Sequence, residues 1–181
     1  KLQIENLKSI KNMEMECSRL NLLIGTNSSG KSSVLQGLLL VAQNMEQDCG
    51  LNGRLVSLGT YAESRCIYEE KKGIKISVWN GEKWIRIMLG PEEDGTLLIQ
   101  REMGSEESIK FFFEGFRLKE RNFQYLSCHR VGPQNIYAKN MTMEDAIGTE
   151  GQYAIAYLNQ HLIAKLLAFT RQFKQCRCHS E

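Results

Sequence analysis

The stretch Leu20-Asn21-Leu22-Leu23-Ile24-Gly25-Thr26-Asn27-Ser28-Ser29-Gly30-Lys31-Ser32-Ser33 decides how the chain is read. It passes from an apolar run through Gly-x-x-x-x-Gly-Lys-Ser into a segment with helical spacing. A continuous apolar run is the pattern of a parallel strand covered on both faces. The glycines let the backbone turn tightly with its N–H groups pointing inward, and the following helix adds the positive end of its dipole. In such a loop, Gly25, Thr26, Asn27, Ser28, Ser29, Gly30, Lys31, Ser32 and Ser33 surround the phosphates of a nucleotide. Lys31 reaches the β- and γ-phosphates, and the Ser32 hydroxyl ligates Mg²⁺. The plain alternative is a Gly/Ser-rich turn capping an ordinary helix; the strand expected before it and the helix after it argue for the phosphate loop.

Working outward, Leu2, Ile4, Leu7 and Ile10 suggest a strand that runs into a turn at Lys8-Ser9. Met13-Glu14-Met15-Glu16-Cys17 alternates strictly and reads as its antiparallel partner, with one face buried. Beyond the loop, Val34, Leu35, Leu38, Leu39 and Ala42 predict a helix from Ser32 to about Gln47, ended by Gly50 and Gly53. From Leu55 to Phe116 the pattern becomes short alternating stretches: Arg65–Tyr68, Ile74–Trp79, Trp84–Leu89, Leu97–Gln100 and Ile109–Phe113. The dividers are Lys71-Lys72-Gly73, Asn80-Gly81, Gly90-Pro91 and Met103-Gly104-Ser105, and Asn80-Gly81 is a strong hairpin signal. This predicts an antiparallel meander. Trp79, Trp84 and Phe111 to Phe113 then serve as its core and cross-strand pairs rather than as a base-stacking platform.

Phe123 to Cys128 resembles a second buried strand, leading into His129-Arg130-Val131-Gly132-Pro133. A polar turn at the carboxyl end of a strand is where an α/β sheet gathers ligand contacts. Arg130 therefore either faces the nucleotide or couples it to a partner, or is a plain surface arginine. His129 and His161 have no accompanying carboxylate or cysteine constellation and are read as structural. Thr149-Glu150-Gly151-Gln152 fits a capping box. After it, Ile155, Leu158, Leu162, Leu166, Phe169 and Phe173 form the stripe of a packed helix or the root of a coiled coil. Arg171, Lys174 and Arg177 give a short basic end.

The 181 residues are enough for one domain with a subdomain, and 42% hydrophobic with 24% charged residues is ordinary globular composition. A net charge of +2 does not by itself point to nucleic acid or membrane. No apolar run approaches the roughly 20 residues needed to span a bilayer, so no membrane partner is expected. Six cysteines are scattered without a disulfide framework, and a nucleotide-binding chain of this kind belongs in the cytoplasm. Cys176-Arg177-Cys178-His179 is the one local cluster; it reads as half a zinc site or as a loose tail. Lys1 stands where an initiator Met is expected, so residues should precede it.

Taken in order, these segments resemble the start of an ABC-type ATPase of the SMC/RecF/OLD group. The closer likeness is to prokaryotic AAA-labelled ATPases of anti-phage and overcoming-lysogenization-defect-like systems. The likeness rests on Leu2 to Ile10, on Asn21 to Gln36 and on Val56-Ser57-Leu58-Gly59-Thr60-Tyr61. It extends to Tyr125-Leu126-Ser127-Cys128-His129-Arg130-Val131-Gly132-Pro133 and to Ile147-Gly148-Thr149-Glu150-Gly151-Gln152-Tyr153. The resemblance implies an α/β fold: the N-terminal lobe of a P-loop NTPase, ABC/SMC-head-like, with an antiparallel β-subdomain. It implies ATP with Mg²⁺ as cofactors, Lys8 near the phosphates, and Asn27 at the group's usual loop asparagine. Two heads of this group sandwich two ATP molecules, which implies a homo-oligomer or a partner ATPase or effector subunit, with nucleic acid as a target.

The organisation expected is an ATP-binding lobe over 1–165 and a helix end and tail over 166–181. Within the lobe come the strands, loop and first helix (1–50), the meander (55–116), and a strand and helix (123–165). The sequence holds no Leu-Ser-Gly-Gly-like signature and no four-residue apolar run followed by Asp-Glu. Those elements carry the partner contact and the water-activating base, so the catalytic residues stay unknown and a longer ATPase of which this is the N-terminal part is expected. A non-catalytic nucleotide-gated switch or scaffold is the second reading; a transporter subunit and a small-molecule kinase rank below both.

Overall fold

The computed structural model describes residues 1–68, 73–91, 97–116, 123–127, 129, 132, 136, 147–148 and 150–159. The chain divides into two compact units, Lys1–Arg117 and Leu118–Glu181. The first holds an antiparallel hairpin, β1 (Leu2–Leu7) and β2 (Ile10–Met15), then helix α1 (Lys31–Glu46) and a short α2 (Tyr61–Ser64). Strands β3 (Ile74–Asn80), β4 (Lys83–Pro91) and β5 (Leu97–Met103) come next, and α3 (Glu106–Gly115) closes the unit. The five strands form one antiparallel sheet in the order β2-β1-β3-β4-β5. The meander therefore does not stand apart from the N-terminal hairpin: β1 pairs with β3 through Leu2↔Val78 and Ile4↔Ile76.

Alternation sorts the sheet into two faces. On the inner face Leu2, Ile4, Ile74, Ile76, Ile85, Ile87 and Leu89 are buried. Cross-strand neighbours there include Ile76↔Ile87 and Ile74↔Leu89. Burying each such side chain contributes about 1.5–3 kcal/mol. The outer face is a solvated ladder in which Lys75 pairs with Glu5 at 2.9 Å and Arg86 with Glu102 at 2.9 Å. Trp79 and Trp84 are direct cross-strand partners, as expected, but they lie on this outer face and not in the core. Lys1 and Arg86 sit over their rings.

Helix α1 packs on β1 and β3. Every residue from Leu39 to Met45 is buried, including the polar Gln43 and Asn44. Their amides are satisfied by the loop beyond the helix. Asn44 Nδ2 donates to Leu40 O and Gly50 O at 2.9 Å each, and Asn44 Oδ1 accepts from Gly50 N at 2.7 Å. Gln43 donates to Gly50 O and accepts from Val56 N. Gly50 therefore lies in a buried clasp beyond the helix and does not end it; the end comes at Glu46, with Gln47 as C-cap. Asn44→Ala leaves the buried Gly50 N–H without its acceptor and the Gly50 carbonyl with Gln43 as its remaining donor. Urea unfolding is expected to show a loss of roughly 2–4 kcal/mol; a change below about 0.5 kcal/mol would mean that the clasp is not what holds this loop.

Several expectations are corrected. Ile109–Phe113 is helical, not a strand. Ser105 caps α3 by accepting from Ser108 N, Glu106 and Glu107 occupy the first turn, and Phe112 is the buried aromatic. Those start signals outweigh a short apolar run that fits either period. Arg65–Tyr68 forms only a single bridge, Leu7↔Arg65. Gly90-Pro91 does not divide strands but ends β4, paired with Leu98 and Leu97. Because Asn80 pairs with Lys83, the hairpin turn is centred on Gly81-Glu82, with glycine first as type II′ turns prefer.

In the second unit, 123–127 joins no ladder, so the buried strand expected there is not formed. Residues 150–153 form a turn in which Gln152 Oε1 accepts from Glu150 N, and Tyr153 N donates to Ile147 O at 3.1 Å. It is helical over 154–159. Ile155 and Leu158 are about half exposed. Thr149, the expected cap, lies outside the described residues, as do the remainder of the apolar stripe, His161 and the Cys176-Cys178-His179 cluster.

Candidate functional site: the loop at the start of α1

The segment between β2 and α1 begins with a side-chain-locked turn. Asn21 Oδ1 accepts from Ser18 N at 2.9 Å, and Asn21 Nδ2 donates to Ser18 O at 2.8 Å. The apolar run at this turn corrects the central expectation. Leu20 to Ile24 is not a buried strand: it belongs to no ladder, and Leu20, Leu22 and Ile24 are 85%, 78% and 82% exposed. A doubly covered strand needs hydrogen-bonded neighbours on both sides. Among the described residues nothing runs alongside 20–24.

The loop itself is formed. Gly30 is the N-cap of α1 at φ +91, a left-handed conformation that glycine adopts without a Cβ penalty, and no side chain caps the helix. The first-turn amides are therefore left for another acceptor, and the positive end of the helix dipole faces the same way. Ser28 also adopts a left-handed conformation, at φ +63. Residues 28–33 and Ser9, from the β1–β2 turn, line a hollow of about 120 Å³. Among the described residues its lining is five serines, Gly30 and Lys31, residue types that offer a phosphate hydroxyl, backbone N–H and ammonium donors.

Lys31 stands at the rim with its ammonium folded onto its own loop. Lys31 Nζ donates to Gly25 O at 2.8 Å, to Thr26 O, and to Ser29 Oγ at 3.2 Å. These are exposed, exchangeable contacts, so a phosphate can replace the two carbonyls as the acceptor. Ser32 is exposed at the helix start, whereas Ser33 is buried. Of the residues expected to hold a nucleotide, 28–33 line the hollow, Gly25 and Thr26 contribute the carbonyls that hold Lys31, and Asn27 is exposed beside them. Ser32, whose side chain is exposed at the helix start, is the residue that would hold Mg²⁺ at this place.

Lys8 sits in the β1–β2 turn at φ +52, and its N–H donates to Ser64 O at 2.8 Å. The residue of that turn which lines the hollow is its neighbour, Ser9. Arg130 lies outside the described residues; His129 is exposed, with its N–H on Ser127 Oγ. Sequence reasoning missed Ser9 and the segment that secures its turn. That segment starts at a capping box, in which Thr60 Oγ1 accepts from Glu63 N while the Glu63 carboxylate accepts from Thr60. The Thr60 N–H and hydroxyl hold the Glu63 carboxyl below the usual carboxylate range.

No helix among the described residues is long and apolar enough to cross a membrane, and among them no cluster of His, Cys, Asp or Glu could hold a metal. No curated protein sequence matches the chain. A family model described as "AAA ATPase domain" matches residues 1–157, from β1 through the glycine-rich loop and on into the second unit. The chain belongs to the AAA ATPase domain family and is by that membership a nucleotide-binding ATPase domain.

Proposed function

We propose that this domain binds Mg-ATP at residues 25–33 and serves as the ATP-binding lobe of an SMC/OLD-like ATPase. In this reading, nucleotide draws two such domains together, or one domain onto a partner ATPase or effector subunit. The engagement controls an activity directed at nucleic acid, in defence against phage. The observation that carries the nucleotide site is the uncapped start of α1, with Gly30 as its N-cap and a serine-lined hollow beside Lys31. The SMC/OLD character rests on the ordered resemblance of Leu2–Ile10, Asn21–Gln36, Val56–Tyr61 and the stretches around Arg130 and Gly151.

Bound ATP would supply the phosphoanhydride to be cleaved; the chain's own groups bind and orient it. The loop amides and hydroxyls take phosphate oxygens, Lys31 neutralises their charge, and Ser32 positions the metal. A second reading has support in the same hollow. Among the described residues its lining, Ser9 and residues 28–33, contains no carboxylate, so a water-activating base would come from outside that set. That favours a nucleotide-gated switch whose catalytic complement another segment or subunit provides. Sedimentation of the protein with a non-hydrolysable ATP analogue and Mg²⁺ tests engagement. The expected result is nucleotide-dependent self-association that Lys31→Ala removes. Nucleotide that binds without changing the sedimentation of the protein, alone or with nucleic acid, would contradict the engagement reading.

A further inference from the structure

We propose that Ser9 is a phosphate-binding residue: its hydroxyl, presented by the β1–β2 turn, donates to a phosphate oxygen of the bound nucleoside triphosphate. This rests on the reading of residues 25–33 as the nucleotide loop. Ser9 is remote from that loop in sequence, and no loop motif includes it. The fold brings it there: Ser9 lines the same hollow as residues 28–33. A Cβ at Gly30 would stand 3.3 Å from Ser9 Oγ, so the turn comes close to the cap of α1. Ser9 is exposed, and among the described residues its hydroxyl has no hydrogen-bond partner.

The turn is held in place from behind. Asn6 and Lys8 are both non-glycine residues in the left-handed region, at φ 59 and φ 52. Such conformations persist where surrounding structure over-determines them. Here the surroundings are residues 64–66. Ser64 O accepts from Lys8 N, Arg65 bridges Leu7, and Cys66 N donates to Asn6 Oδ1 at 2.9 Å. Asn6, Leu7, Ser64 and Cys66 are all buried. A buried clamp thus fixes a strained turn whose exposed member is a hydroxyl facing the phosphate hollow. A serine there adds a donor without adding charge, and its hydrogen can rotate to suit the ligand.

The test is titration of Mg-ATP into the wild-type chain, Ser9→Ala, Ser9→Thr and Lys31→Ala, each with a thermal melt. Removing one hydrogen bond to an ionised acceptor is expected to weaken binding about tenfold in Ser9→Ala, with the melt unchanged. Ser9→Thr keeps the hydroxyl and is expected within about threefold of wild type. If wild type binds and Lys31→Ala binds far more weakly, but Ser9→Ala binds as wild type, the assignment of Ser9 is wrong and the loop reading stands. Equal weakening in Ser9→Ala and Ser9→Thr also overturns it, because the hydroxyl is then not the cause. If wild type fails to bind Mg-ATP, the loop reading fails and Ser9 falls with it.

Discussion

Replacing Lys31 with alanine is expected to weaken ATP binding about 100-fold while leaving the folded domain intact. Among the described residues, Lys31 is the one cationic residue lining the hollow of residues 9 and 28–33. Its present acceptors, the Gly25 and Thr26 carbonyls and the Ser29 hydroxyl, are neutral groups at the surface. These bonds already have an ionised donor; exchanging the neutral acceptors for phosphate oxygens adds the attraction of opposite charges. Losing them in the bound state costs about 3 kcal/mol, or about 100-fold in affinity. The apo fold loses only exposed contacts, so its stability should change by less than about 0.5 kcal/mol. Lys31→Arg keeps the charge but spreads it over a planar fork, and should fall between the two. Calorimetric titration beside a urea melt separates these effects. Lys31→Ala that binds as wild type would remove the loop from the site; Lys31→Ala that unfolds would make the lysine structural.

The second large effect is expected at Gly37, in the middle of α1. A Cβ there would stand 2.7 Å from Ile4 Cδ1, 3.4 Å from Ile4 Cγ1 and 3.6 Å from Leu7 Cδ2. Ile4 and Leu7 are fully buried on β1, so they have little space into which to move. Two effects oppose each other in Gly37→Ala. Helix propensity favours alanine by about 1 kcal/mol. Overpacking a tight core costs about 1–3 kcal/mol. The contact at 2.7 Å decides the sign, and a net loss of about 1–2 kcal/mol is expected. Gly37→Leu, with three more carbons in the same gap, should lose about 3 kcal/mol or more. Ile4→Val removes the Cδ1 that clashes, so Gly37→Ala with Ile4→Val should recover at least about 1 kcal/mol relative to the sum of the single changes. Urea unfolding of the four proteins closes that cycle. Gly37→Ala more stable than wild type would mean that α1 does not need this close approach to β1. The consequence reaches the candidate site, because Gly37 packs on Ile4 in the helix whose first turn would receive the phosphate.

These two residues also mark what the sequence makes legible. The helix after the glycine-rich loop and the β1–β2 hairpin are local patterns: spacing and alternation over short stretches define each, and each is formed. The strands at Ile74–Asn80, Lys83–Pro91 and Leu97–Met103 are legible for the same reason. The pairing of β1 with β3 is not, because it joins segments about 70 residues apart and no local signal encodes it. Gly37 reads in sequence as a weak point in a helix, and only the nearness of Ile4 explains it. Ser9 belongs to no motif; it reaches the hollow because residues 64–66 pin its turn.

The differences between sequence and structure have physical causes as well. Ile109–Phe113 is too short for its period to be decisive, and the cap at Ser105 with two acidic residues after it carries the helical signal. Leu20–Ile24 has the composition of a central strand, but composition describes burial that neighbouring strands must provide. Without such a neighbour among the described residues, the side chains of Leu20, Leu22 and Ile24 face solvent. The loop and the strand expected to deliver it are thus separable: Lys31 bonds within its loop even where 20–24 is unpaired.

The most direct measurement is amide hydrogen exchange of the protein with and without Mg-ATP, resolved along the chain. Slowed exchange concentrated at residues 28–33 and at the Ser9 turn is the expected footprint, since the uncapped first-turn amides of α1 are the donors a phosphate would engage. Protection confined to another region, such as the apolar hollow formed by Leu51, Tyr61 and Leu97, would contradict the claim that this loop is the nucleotide site.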